Sequence, residues 1–229
     1  FYQPKINMRT GEVVGAEALI RWRHPERGLV SPGEFLPLIE GNELVVHIGD
    51  WVLDEALDQL AAWQVQGLDL AVSVNIAAHH LQQENFLARL REKLAAHPAV
   101  SPDRLELEVL ETAALEGVAR ISSLIEECQA LGVHFSLDDF GTGYSSLTYL
   151  KRLPASILKI DQSFVRDMLW DSEDLAIIEG VIGLAAAFRR TVIAEGVETA
   201  EHGELLLRLG CDLAIIDKRR EGPNEAEAM

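Results

Sequence analysis

Short apolar runs alternating with longer amphipathic segments predict an α/β fold, a closed (β/α)8 barrel. Three observations carry this. About eight strand–helix units fit the 229 residues, and barrels of roughly 200–250 residues are single domains. Strand alternating with helix implies parallel pairing. Polar residues also recur at the ends of successive strand-like runs, and a barrel gathers such positions on one face. The rival is an open doubly wound sheet. Its dinucleotide-binding version has little support, because no Gly-x-Gly-x-x-Gly opens a helix after a first strand.

The strand-like runs are Phe1–Ile6, Val13–Leu19, Leu70–Ile76, Leu105–Leu110, Val133–Leu137, Ile157–Ile160, Val192–Ala194 and Leu213–Ile216. Trp51, Val52, Ala56, Leu57, Leu60 and Trp63 recur at helical spacing, as do Leu115, Val118, Ile121, Leu124, Ile125 and Cys128. Both tryptophans are expected in the core. Ser31-Pro32-Gly33-Glu34 reads as a helix start, with Ser as cap and Pro at the first helical position. Gly132 and Gly210 read as helix stops.

Composition excludes several classes. Lys and Arg number 20 against 37 Asp and Glu, a net charge of −17. A sequence-independent grip on polymeric nucleic acid needs a basic face, which this balance denies. A small phosphate ligand stays open, because metal ions supply positive charge. Hydrophobic residues at 48% exclude disorder over most of the chain. No run of about 18 uncharged apolar residues exists to span a membrane. Cys128 and Cys211 are too few for a disulfide framework and read as reduced core thiols of a cytosolic protein. The chain starts at Phe1, already strand-like, without Met or a signal segment, so a fragment of a longer protein is expected.

The chemistry lies in the polar residues of the runs. Glu17, Asn75, Glu108, Asp138, Asp139, Lys159 and Glu195 each sit at or near a strand's C-terminal end, about one strand–helix unit apart. A lone acid there is usually a helix cap or a loop residue. Five acids, an Asn and a Lys in successive units are hard to assign to capping together. Crowded carboxylates repel one another and resist desolvation, so something cationic belongs among them. An all-oxygen donor set favours Mg²⁺ or Mn²⁺ and disfavours Zn²⁺. Two divalent ions and Lys159 would neutralise the five carboxylates, and a two-metal site suits in-line displacement at phosphorus. Ser145-Ser146 lacks a nucleophile-elbow setting. The adjacent His79-His80 does not share a helix face. No Gly-Lys-Ser/Thr marks a P-loop.

Glu17-Ala18-Leu19-Ile20-Arg21-Trp22 resembles the signature of the EAL-domain cyclic di-GMP phosphodiesterases. The resemblance continues through Ser73-Val74-Asn75-Ile76, Leu107-Glu108-Val109-Leu110-Glu111-Thr112, Asp138-Asp139-Phe140-Gly141-Thr142-Gly143-Tyr144-Ser145-Ser146-Leu147, Leu158-Lys159-Ile160-Asp161 and Ala194-Glu195-Gly196-Val197-Glu198-Thr199, covering about residues 1–214. It implies a modified barrel over 1–216 that hydrolyses cyclic di-GMP to linear pGpG with two Mg²⁺ or Mn²⁺. It implies Glu17, Asn75, Glu108 and Asp138 as ligands of one metal, with Asp138 and Asp139 at the second. Glu195 completes the metal and water network, Lys159 holds the attacking water, and Arg21 and Leu19 contact substrate. Glu111 braces the 139–147 loop, to which Gly141 and Gly143 give backbone freedom and through which a homodimer forms. The same likeness implies a cytoplasmic domain in a bacterial signalling protein, fused to a sensor or GGDEF domain and membrane-anchored in some parents.

The pattern breaks after Gly210-Cys211-Asp212. Ile215 stands where the family places an active-site glutamine, and residues 217–229 read as a charged, disordered tail. The first strand is expected to be clipped and the last strand–helix unit altered, as a shifted frame or junction would leave it. A catalytically impaired binding or signalling module is therefore the alternative. Another metal-dependent barrel enzyme, such as a lyase with Lys159 as base, is a more distant one.

Overall fold

The computed structural model describes residues 1–111, 118–142 and 147–216. Leu115, Thr112, Gly143, Ser145, Ser146 and the 217–229 tail lie outside these. The strands are β1 (Tyr2–Asn7), β2 (Val13–Ala18), β3 (Trp22–His24), β4 (Gly28–Val30), β5 (Ala71–Asn75), β6 (Leu105–Leu110), β7 (His134–Phe140), β8 (Ile157–Ile160), β9 (Thr191–Val197) and β10 (Leu213–Ile216). Eight of them close a barrel in the order β1-β10-β9-β8-β7-β6-β5-β2. The described helices are α1 (Pro32–Ile39), α2 (Glu43–Val65), α3 (Ala78–Leu81), α4 (Phe86–Ala96), α5 (Val118–Gln129), α6 (Leu147–Arg152), α7 (Gln162–Asp167), α8 (Ser172–Phe188) and α9 (Ala200–Leu209).

Every expected strand is present, with three differences. β1 runs antiparallel to both neighbours, β2 and β10, in an otherwise parallel barrel. Only five residues separate β1 from β2, with Gly11 at φ +74° in the turn, and so short a connection joins antiparallel strands only. β7 and β9 run three residues beyond the apolar patches that mark them, through the acids themselves. A small β3–β4 hairpin, held by Trp22↔Val30 pairing, escaped the apolar-run reading. Its turn is fixed by His24 Nδ1, which accepts the Glu26 and Arg27 N–H groups at 3.1 and 3.2 Å.

The barrel strands alternate, and the alternation separates two interiors. Val72, Val74, Leu105, Leu107, Val109, Phe135, Leu137, Leu158 and Ile160 join one continuous apolar core with α2, α4, α5 and α8, through Leu53, Leu57, Leu90, Ile125 and Ile178. The residues between them (Ser73, Glu106, Glu108, Ser136, Asp138 and Lys159) are buried on the other face, inside the barrel. Cys128 and Cys211 are buried and free, as expected of core thiols. Trp63 packs edge-on against Tyr2, ring centroids 5.1 Å apart. Trp51 corrects the core expectation: it is 51% exposed, because the buried stripe of α2 runs through Val46, Asp50, Leu53, Leu57 and Leu60.

The barrel closes at β10 despite the altered sequence there. Lys5 pairs with Ile215 and Asn7 with Leu213, while Leu213 and Ala214 pair with Ile193 and Ala194. Ile215 is buried inside the barrel.

Asp50 ties three helices together. It pairs with Arg89 of α4 and lies 3.5 Å from His80 of α3. His80 packs so closely on Gly49 that a Cβ there would stand 2.2 Å from Nδ1. Gly49→Ala is expected to cost about 1–3 kcal/mol through overpacking. Gly180→Ala, in open space on α8, should instead stabilise by about 0.5–1 kcal/mol. Urea unfolding midpoints of the two variants check this. Equal shifts would contradict the packing assigned to His80.

Candidate active site

The C-terminal ends of β2, β5, β6, β7, β8 and β9 bring the polar residues onto one face of the barrel. Lys159 of β8 lies at their centre, with no exposed surface. Its ammonium is 2.5 Å from Glu108 Oε2, 2.5 Å from Glu195 Oε1, 2.9 Å from Asp138 Oδ1 and 3.4 Å from Glu17 Oε2. β8 is not adjacent to β2 or β6, so the contacts with Glu17 and Glu108 cross the barrel interior. Asn75 donates to Glu17 Oε1 at 2.9 Å.

Two breaks in the ladder aim the remaining acids. The β7–β8 register shifts between Leu137 and Phe140, so Asp138 and Asp139 leave the regular alternation, as residues at a bulge do. Asp139 takes φ +52°, and its N–H donates to Asp138 Oδ1 at 3.1 Å. Asp tolerates this left-handed conformation better than bulky residues do. The β9–β10 register shifts beside Glu195 and Gly196. Gly196 has φ +66°, and a Cβ there would stand 2.7 Å from Gln162 Cβ, so only glycine lets the strand turn beside Glu195. Asp138, Asp139 and Glu195 each bring an oxygen within 4.8 Å of the others.

The charges are unevenly matched. Burial pushes the Glu17 carboxyl up to about 7, with repulsion from Glu108 adding to it. Burial, then Asp138, pushes Asp139 up to about 7. Glu195 is pushed up to about 9, chiefly by burial, in spite of Lys159. Burial alone would also raise Glu108, but Lys159 and Lys5 outweigh it and hold that carboxylate below its usual range. Burial likewise opposes the charge on Lys159, and its four carboxylates overcome it. One ammonium therefore does not satisfy the cluster. The unsatisfied groups are carboxylate oxygens, the donors that hard divalent cations prefer, so the residues fit such an ion.

Other expected residues lie around this centre. Glu111 is buried and accepts the Gly141 N–H at 2.9 Å. Gly141 takes φ +105°, close against Phe164. Leu19, half-buried at the rim, bonds through its N–H to the Phe1 carbonyl at 2.8 Å. Arg21 donates to the Ile20 carbonyl at 2.8 Å, and its guanidinium lies 6.0 Å from the Phe1 ring centroid. Among the described residues no hydrogen bond joins Arg21 or Leu19 to the acids. Two residues went unrecognised in the sequence, Lys5 and Glu106. Lys5 Nζ lies 3.0 Å from both Glu106 oxygens and 3.3 Å from Glu108 Oε1. The two-residue period was the available signal: in Leu105-Glu106-Leu107-Glu108 it puts both acids on one face.

Such a fold and site define a class: an α/β barrel with an acidic, cation-seeking centre at its C-terminal face. The EAL domain family model matches residues 1–215, and the chain belongs to that family. It is 45% identical over 212 residues to the bifunctional diguanylate cyclase/cyclic di-GMP phosphodiesterase MucR of Pseudomonas aeruginosa, covering 92% of this chain and 31% of that protein. A second cyclic di-GMP phosphodiesterase of that organism is 40% identical, with 92% and 36% covered. The chain thus spans about a third of these relatives' length. Among solved structures, the PaMucR phosphodiesterase in complex with c-di-GMP superposes with a TM-score of 0.89 at 44% identity, covering 93% of this chain and 86% of that one.

The raised carboxyls have a consequence for pH. Glu17 and Glu195 ionise at about 7 and 9 here against 4.5 ordinarily. An acid whose folded value is raised destabilises the fold as pH climbs from its unfolded value to its folded one. Their contribution to metal-free stability should therefore fall between about pH 5 and 9. A bound cation must expel these protons. Mn²⁺ is expected to bind more tightly as pH rises from 6 to 9, with a calorimetric enthalpy that tracks the buffer's ionisation enthalpy. An enthalpy independent of buffer would contradict the protonation states.

Proposed function

We propose that the chain is a phosphodiesterase domain that hydrolyses one phosphodiester bond of cyclic di-GMP to give linear pGpG, using two Mg²⁺ or Mn²⁺ ions. The observation that carries this reading is the convergence of Glu17, Glu108, Asp138 and Glu195 on Lys159, in a chain 45% identical to a cyclic di-GMP phosphodiesterase. In this reading Glu17, Asn75, Glu108, Asp138, Asp139 and Glu195 hold the metals. Five carboxylates with Lys159 leave four negative charges, the amount two divalent cations neutralise. When bound, the ions would lower the pKa of water and stabilise charge on the phosphoryl oxygens.

The protein's own groups have separate tasks. Lys159 keeps four acids of four strands in one geometry and directs its ammonium at the attacking water. Glu195 would complete the network of metal and water around it. Arg21 presents two parallel donors to a substrate phosphate, the geometry a guanidinium offers best, and Leu19 lines the same approach. Glu111 fixes the 139–142 turn through Gly141. Water adds to phosphorus in line, the ester oxygen opposite departs with a proton, and the ring of the dinucleotide opens. A homodimer through the 139–147 loop, a cytoplasmic setting, and a fused sensor or GGDEF domain belong to the same reading. Among the described residues no helix is long and apolar enough to cross a membrane.

Ile215 favours a second reading, a domain that binds cyclic di-GMP without efficient turnover. It is buried inside the barrel beside Lys5, where an isoleucine can neither donate nor accept a hydrogen bond.

Chromatography of cyclic di-GMP incubated with the chain and Mg²⁺ or Mn²⁺ separates the readings. Linear pGpG is expected from the wild type, with at least about 100-fold less from Glu17→Ala, the scale on which metal-site substitutions act. Ile215→Gln should raise turnover about 2–10-fold, the worth of one buried hydrogen bond. Binding by a folded chain without any product would select the second reading.

A further inference from the structure

The lower layer of the barrel interior holds an ion pair that the chemistry above does not use. Lys5 and Glu106 are 4% and 6% exposed, and neither stands at the C-terminal rim. Lys5 belongs to β1 and Glu106 to β6, with β2 and β5 between them in the sheet. The ammonium crosses that gap past small residues, since Gly15 is the register partner of Lys5 and Ser73 that of Glu106. Both carboxylate oxygens of Glu106 lie 3.0 Å from Nζ. So gripped, Lys5 reaches one step upward to Glu108 Oε1 at 3.3 Å. The other oxygen of Glu108 faces Lys159 at 2.5 Å. The carboxylate is thus held at both ends, one oxygen tied below and the other presented to the cluster.

A stability role does not account for this arrangement. Replacing a buried ion pair by apolar residues of similar size is often neutral or stabilising, and Val, Ile and Leu ordinarily fill such layers. The pair costs desolvation at a place where hydrocarbon would serve. Its distinctive effect is on the orientation of Glu108, and groups behind metal ligands commonly orient them.

We propose that Lys5, pinned by Glu106, is a positioning residue that fixes Glu108 with Oε1 tied to the barrel floor and Oε2 turned toward the metal site. The inference rests on the metal-dependent reading of the cluster. Lys5 touches neither substrate nor the reacting atoms. It acts through Glu108 alone.

The test is the double variant Lys5→Met with Glu106→Met, which removes both charges together and leaves no unpaired ion. Mn²⁺ affinity is read by titration calorimetry, and turnover of cyclic di-GMP is measured on the same preparations. A Kd for Mn²⁺ raised about 10–100-fold, with kcat lowered at fixed Mn²⁺ and KM within about twofold of wild type, supports the proposal. Leu90→Ala, in the outer core and away from the site, controls for lost stability and should leave the Mn²⁺ affinity as it was. An unchanged Kd in the folded double variant overturns the proposal. Should the double variant fail to fold, Glu106→Gln keeps the shape and weakens the grip; it should raise the Kd in the same direction, and no change overturns the proposal. Wild-type chain that binds no Mn²⁺ overturns the metal-dependent reading and this inference together.

Discussion

One buried ammonium organises the molecule. Lys159 stands fully enclosed among Glu17, Glu108, Asp138 and Glu195. A lysine there without partners would lose its proton, and four carboxylates there without a cation would not stay ionised. Each group is tolerable only because the others are present. The contacts span β2, β6, β7, β8 and β9, so the register of five strands must be correct for the cluster to form. A slip of one residue would turn an acid outward and an apolar residue inward. The cluster therefore specifies the barrel as much as the barrel builds the cluster.

Stability and function are separated in space. The apolar core lies between the strands and the helices, where Leu107, Phe135, Leu137 and Leu158 meet Leu57, Leu90 and Ile125. The polar interior lies within the strands and is given over to orientation. Its floor is the Lys5–Glu106 pair and its upper layer is the acidic face. At the edge of that face Asp139 and Gly196 take positive φ beside the acids, and Arg189 does so at the end of α8. Functional sites commonly hold such conformations.

Much of this was legible in the sequence, and for physical reasons. Strand positions follow from apolar runs, and the acids stood out because charge is costly inside a parallel sheet. The geometry that depends on neighbours was not legible. The antiparallel course of β1 depends on a turn rather than on a pattern. The bulges at Asp138 and Glu195 depend on the partner strand's register. Trp51 carries helical spacing yet faces solvent, because the buried stripe of α2 runs one step around the helix from it. Glu106 shares the face of Glu108 by its two-residue spacing, but nothing near it in the chain names its partner. Lys5 itself reads as an ordinary charged residue of a first strand. Partners a hundred residues apart leave no local trace when each is common alone.

The acids around Lys159 are proposed to hold divalent cations, and anomalous scattering from crystals of the chain grown with Mn²⁺ would locate them. Two peaks are expected, roughly 3.5–4 Å apart, among Glu17, Glu108, Asp138, Asp139 and Glu195, with Asp138 between them. Crystals with no Mn²⁺ peak at these carboxylates, and Lys159 still bonded to all four of its acids, would contradict the proposal.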